Sequence, residues 1–414
     1  MLGQFPLQPY QQRIPHGPYQ PRTAGMSKTP WRVIAKAIVA MSALSLVVFI
    51  LFDTVTLLYG VSIVLPEVGN SSYPLYLVAP TLIMMVYISG AALQGYYIFL
   101  VAAITVSVAW LLWKSAPEFI EEISMRSTSR KHSAVLDLCM LMFAITFMNF
   151  AIVFLMLLAG YDPTDAVGDA DLWELLFLLA NASVWEEIVS RVLLIGIPLL
   201  LYDYVSKRLK TKKQAYVLGG GFELGIPETC LLVASSVFFG FAHFEGWGSW
   251  KVFPAAVAGV AFGYMFLRHG LASAIVLHFA FDYLSIPGDV FGDSVALVTI
   301  ILTLIWIAIG LACFIYFLTR IGEFVTGSKY LEPFIPAPTP VWFTQPRPYA
   351  DPNRPSQQSV EPYRASEPAS VPVIYTQQPA NRGPLGGYVC PACGHTQARW
   401  INGRFQCLRC GNLL

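Results

Sequence analysis

The chain has 414 residues, 56% of them hydrophobic and only 12% charged, with 26 basic against 25 acidic side chains and a formal net charge of +1. Soluble domains carry roughly 25% charged residues, so this composition excludes an ordinary soluble protein and points to a polytopic membrane protein. The balanced charge gives no global attraction to a polyanion, and no nucleic-acid partner is expected.

Residues 1–31 are rich in Pro, Gln and Tyr and lack the apolar run and small-residue cleavage site of a secretory signal. They are expected to form a disordered cytoplasmic amino terminus, with the first span acting as its own insertion signal. A bilayer core of about 30 Å needs about 20 apolar residues per helix. Apolar runs at 134–158, 172–201, 228–244, 250–268, 270–287 and 294–319 therefore read as six spans. Before them lie a run from 33 to 52, extending to about 66, and a stretch from 74 to 113 that is one long span or a tight hairpin. Short cytoplasmic loops are enriched in Lys and Arg, which places Lys207, Arg208, Lys210, Lys212 and Lys213 inside, together with Arg126, Arg130, Lys131, Arg268, Arg320 and Lys329. The basic amino terminus joins them if an even number of spans precedes residue 114. The prediction is an all-α polytopic membrane protein with about eight transmembrane helices over 32–320 and both termini cytoplasmic.

From 321 to 388 the chain turns rich in Pro, Ser, Gln and Tyr without apolar periodicity, the composition of a disordered tether. Residues 389–414 change character again. Cys390-Pro391-Ala392-Cys393 and, after thirteen residues, Cys407-Leu408-Arg409-Cys410 present two thiolate pairs, each followed by a glycine suited to a tight turn. Four soft ligands favour tetrahedral zinc, whose binding would supply most of the folding free energy of so small a segment. Two disulfides would need an oxidising compartment, in conflict with the cytoplasmic placement. This module resembles the rubredoxin-like zinc ribbons. Its four protein ligands close the site, so a structural zinc and a possible cytoplasmic protein partner are expected, not catalysis.

Ionisable residues inside spans are costly and by default functional candidates. Glu186, Glu187 and Arg191 lie in the middle of the run 172–201, His243 ends the next, and His278 and Asp282 stand four apart in 270–287. Adjacent residues on a helix point about 100° apart, so the two glutamates cannot face one target. Glu187 and Arg191, four apart, can pair, leaving Glu186 to face a cavity shared with His243. Glu186 and His243 both lie fifteen residues from the expected cytoplasmic ends of their helices, roughly 22 Å in at 1.5 Å per residue; His278 is nominally shallower. A carboxylate and an imidazole around one water can deprotonate it, and a second imidazole can stabilise a developing oxyanion. His132, His269 and His395 stand beside basic or loop segments and are expected to be solvated.

Taken in order, Glu-Glu-x-x-x-Arg, Phe-x-x-x-His and His-x-x-x-Asp resemble the motifs of the CPBP family, which includes the CAAX prenyl endopeptidases and the bacteriocin-processing enzymes with the Abi domain. The resemblance covers about 134–319. It implies proteolysis within the membrane by a glutamate-activated water, on a membrane-associated peptide or lipidated-protein substrate. Glu186 would be the general base and His243 would help bind the water. Glu187 would position Arg191, and His278 with residue 282 would form the oxyanion site. Eukaryotic prenyl endopeptidases usually carry Asn where this chain has Asp282; an ionised Asp cannot donate to an oxyanion, and would instead orient His278 or be protonated. A catalytic metal held by the two histidines, Glu186 and Asp282 is a variant of the same site. The rival classes are an ion-coupled transporter and a non-catalytic scaffold that presents the ribbon to a partner.

Overall fold

The computed structural model describes residues 30–78, 82–124, 132–161, 170–208, 212–327, 398–401 and 404–407. Contacts divide the chain into two units, 1–341 and 342–414. In the first, the described residues form a helical membrane body. Helices α1 (Pro30–Val68), α2 (Gly90–Ile123), α3 (Ala134–Leu158), α4 (Leu172–Val205), α5 (Ile226–Ala242), α6 (Ser249–His269), α7 (Leu271–Asp282), α8 (Ile286–Phe291) and α9 (Asp293–Thr326) follow in chain order. Seven are long and apolar enough to cross a bilayer: α1 to α6 and α9. The chain is a multi-pass membrane protein. Its outer faces carry exposed apolar side chains such as Leu155, Ile226 and Val325, as expected where lipid is the solvent.

Two expectations change. The run 270–287 does not form one long helix: α7 has 12 residues, about 18 Å at 1.5 Å per residue, short of the bilayer core. Gly270, at φ 108, caps α6 by donating to the Met265 and Phe266 carbonyls and lets the chain double back. Every residue from Ser273 to Ala280 is then buried. A helix that is apolar all round can be wrapped by protein as well as by lipid, and α7 is the former case.

The stretch 74–113 departs from the all-α expectation. Its first part is a β-hairpin, β1 (Ser72–Val78) against β2 (Leu82–Ser89), paired antiparallel from Ser72↔Ser89 to Val78↔Leu82 with a bulge between Leu75 and Tyr76. Pro74 and Pro80 oppose a helix, and the Tyr, Val and Ile content favours strands. The rest, from Gly90, is α2. At the other end α9 runs to Thr326, past the boundary at 320 read from composition.

The helix starts have local causes. Ser133 accepts from the Leu136 amide at the start of α3 (3.2 Å), and its own amide donates to Glu122 (2.9 Å). At α5, Pro227 occupies the first turn and Glu228 accepts from the Gly225 amide (3.0 Å), a pattern that satisfies an otherwise orphaned donor. Close packing then relies on small residues. A Cβ on Gly240 would lie 2.5 Å from the Val252 carbonyl and 2.9 Å from the Ala256 Cβ, so α5 meets α6 there without a side chain between them. Gly310 of α9 lies against the Phe143 carbonyl of α3 in the same way.

Of the histidines expected in solvent, the two described, His132 and His269, are half-buried. His269 meets Asp137 (Nε2 to Oδ2, 2.8 Å), while His132 lies 3.7 Å from Glu122. In the second unit, β3 (Ala398–Ile401) pairs antiparallel with β4 (Arg404–Cys407). Cys407 ends β4. Cys390, Cys393, Cys410 and His395 lie outside the described residues, as do 1–29 and 328–397.

Candidate active site

The membrane-buried candidates come from α4, the end of α5, and α7. Around them α4 is not regular: Ala182–Glu186 and Ile188–Gly196 form wide π-helical turns with Glu187 between them. Such turns are rare and concentrate at functional sites. They reset the directions of the side chains that follow, which no α-helical projection of the sequence conveys.

Glu187 and Arg191 form the buried centre. Both side chains are 0% exposed, with Nε 2.9 Å and a terminal nitrogen 3.3 Å from the two carboxylate oxygens. The other terminal nitrogen donates to Ser235 Oγ (3.1 Å), which donates to the Ser190 carbonyl (2.6 Å). The guanidinium sits 5.0 Å from the Phe239 ring centroid and 5.8 Å from that of Phe262. A buried ion pair survives only when its remaining hydrogen-bonding capacity is also met, and these contacts meet it.

His278 completes that network. Its Nδ1 lies 3.0 Å from Glu187 Oε1 and its Nε2 3.2 Å from Asp282 Oδ2. Its ring stacks on Phe262 at 4.5 Å and 16°. Carboxylates facing both ring nitrogens fit an imidazolium, which has two N–H donors. Depth arithmetic made His278 shallower than Glu186, yet the structure brings it to Glu187, because α7 begins inside the fold after Gly270.

Glu186, His243, His278 and Asp282 line one cavity of about 220 Å³; Glu187 and Arg191 lie behind its wall. Glu186 Oε2 is buried without a hydrogen-bond partner among the described residues, an arrangement that calls for a functional explanation. His243 caps α5, with Nδ1 2.8 Å from the Phe239 carbonyl. A carbonyl only accepts, so Nδ1 carries the proton and Nε2 of the neutral ring is an acceptor.

Four more polar residues line the cavity: Tyr73, Asn149, Asn181 and Lys251. Asn181 Nδ2 donates to Tyr73 Oη (3.3 Å), and its Oδ1 accepts from Tyr96 Oη (2.7 Å). Trp185 Nε1 donates to the Tyr76 carbonyl (2.7 Å), laying β1 along α4. Polarity within an apolar run is the one sequence signal that Asn149 and Asn181 carry, and by itself it implies no role. Tyr73 sits in the unforeseen hairpin. Among the described residues no group of three or more His, Cys, Asp or Glu side chains is placed to hold a metal ion, so the proposed four-ligand set does not assemble.

Residues 168–284 match the family of type II CAAX prenyl endopeptidases, Rce1-like. The matched segment contains all six membrane-buried candidates and supports the resemblance to the CPBP family. No curated protein and no solved structure matches the chain.

Proposed function

We propose that the segment matching the prenyl endopeptidases is the working part of an intramembrane endopeptidase, which hydrolyses a peptide bond of a membrane-associated, prenylated or otherwise lipidated substrate. The observation that carries this reading is the unpartnered Glu186 oxygen in a cavity that His243 also lines.

A water in that cavity donates one hydrogen to Glu186 and the other to His243 Nε2, which turns an oxygen lone pair toward a bound carbonyl carbon. Glu186 takes the first proton as the oxygen adds. When the tetrahedral intermediate collapses and the C–N bond breaks, Glu186 returns that proton to the leaving amine. The positive ring of His278 stabilises the developing oxyanion, and Asp282 orients that ring. Glu187 and Arg191 hold His278 in place.

Both termini face the cytoplasm in this reading. The carboxyl-terminal ribbon holds a structural zinc through Cys390, Cys393, Cys407 and Cys410 and is available to a cytoplasmic protein partner. Clustering of polar groups at one cavity favours hydrolysis over an ion-coupled transporter or a silent scaffold. Glu186→Gln should abolish cleavage of a farnesylated reporter peptide with the fold and zinc content unchanged; undiminished cleavage refutes the mechanism.

A further inference from the structure

Both ring nitrogens of His278 face carboxylates, Nδ1 toward Glu187 (3.0 Å) and Nε2 toward Asp282 (3.2 Å). The ring therefore offers a developing oxyanion its charge but no free N–H. Ionised Glu186 and Asp282 accept hydrogen bonds and cannot donate them. Donors aimed at the developing oxygen usually make the largest single contribution to acyl-transfer catalysis. One hydroxyl on the cavity wall, that of Tyr73, is placed to act as such a donor.

The hydrogen bonds around Asn181 decide how the Tyr73 hydroxyl is used. Tyr96 Oη donates to Asn181 Oδ1 (2.7 Å), and the amide nitrogen donates to Tyr73 Oη (3.3 Å). Tyr73 is thus the acceptor in that contact, and its own hydrogen meets no acceptor among the described residues. Its ring is held edge-on to Phe177, with centroids 4.9 Å apart. The strand that carries it is tied to α4 at Trp185, the neighbour of Glu186. Burial, and after it the charge of Glu186, holds the phenol pKa above its ordinary value of 10. The hydroxyl therefore keeps its hydrogen at neutral pH and stands within reach of the Glu186 charge.

We propose that Tyr73 is a catalytic residue whose O–H donates a hydrogen bond to the scissile carbonyl oxygen as water adds to the carbon. The proposal rests on the hydrolase reading above. The proton stays on Tyr73 throughout. The carbonyl π electrons move onto the oxygen as the new C–O bond forms, and they return when the C–N bond breaks and Glu186 delivers its proton to the nitrogen. Tyr73 lies outside residues 168–284, so the hairpin, and not the segment that matches the prenyl endopeptidases, supplies this donor.

The test uses the full-length protein in vesicles, a fluorogenic farnesylated peptide, and the trifluoromethyl ketone of the same peptide, whose hydrate mimics the tetrahedral adduct. Tyr73→Phe keeps the ring against Phe177 and removes the hydroxyl. It should lower kcat by about 100- to 1,000-fold with KM nearly unchanged, and weaken the ketone by the same factor. Tyr96→Phe frees Asn181 but leaves the Tyr73 hydroxyl in place, and should keep kcat within about 3-fold of the wild type. A kcat loss under about 3-fold in Tyr73→Phe, a loss carried by KM instead, or equal losses in the two variants overturns the donor and leaves the hydrolase reading standing. Absence of cleavage by the wild type overturns the hydrolase reading and this proposal with it.

Discussion

Replacing Arg191 by Met removes the cation from a pair in which neither side chain is exposed. Glu187 is then left with His278 as its one remaining side-chain partner, at 3.0 Å. Loss of one member of a buried pair costs about 3–5 kcal/mol, and the contacts with Phe239 and Phe262 add to the loss in the same direction. Adding Glu187→Leu removes the stranded charge. Whole pairs replaced by apolar residues come out neutral or more stable by about 1–4 kcal/mol, so most of the stability should return. Activity should not, because His278 Nδ1 has then lost its acceptor and the ring its orientation. The assay is thermal unfolding of the solubilised protein, followed by tryptophan fluorescence, beside hydrolysis of the farnesylated peptide. A single-variant loss under about 1 kcal/mol, or a double variant that recovers activity along with stability, refutes the assignment of this pair as the support of His278.

Gly240→Ala should destabilise the protein by about 1–3 kcal/mol through overpacking, because its Cβ meets the Val252 carbonyl at 2.5 Å. It should also depress hydrolysis by shifting His243; Gly246→Ala, with nothing within 4 Å of the new Cβ, is the matched control, and equal behaviour of the two variants contradicts the packing argument. His132 lies outside the spans. Burial opposes its charged form, but Glu122 and the charge of Asp137 outweigh both that and Arg320, and hold its pKa above the ordinary value of 6.5. A raised folded-state pKa contributes stability that is full below 6.5 and fades as pH rises through the higher value. A Tm profile from pH 5 to 9 should show the advantage of the wild type over His132→Gln shrinking toward the alkaline end, and a constant or growing advantage contradicts it.

Much of the membrane body was legible because lipid demands long apolar runs, and α3, α4 and α6 fall where such runs lie. The same rule misled at 270–287, since burial inside protein gives α7 the same all-round apolar character. It was also silent on β1 and β2, where uniform hydrophobicity hides the twofold alternation that normally marks a strand. The Glu187–Arg191 pair followed from a four-residue spacing. The contact of His278 with Glu187 did not, because depth counted from a span boundary says nothing about a helix that starts within the fold. Asp53 of α1, fully buried with neither carboxylate oxygen hydrogen-bonded, was likewise missed: one acidic residue in a long apolar run has no spacing to a partner.

The β1–β2 hairpin laid against α4 has a consequence for the supply of water to the proposed reaction. Among the described residues each of its strands has only the other as a strand neighbour, and Tyr76 brings that backbone to the level of Trp185, one residue from Glu186. Hydrocarbon does not tolerate open strand edges. Any strand edge that protein does not cover must then lie where water or headgroups reach it. On the proposed hydrolase reading each turnover consumes one water, and an uncovered edge of the hairpin is the side from which it would enter.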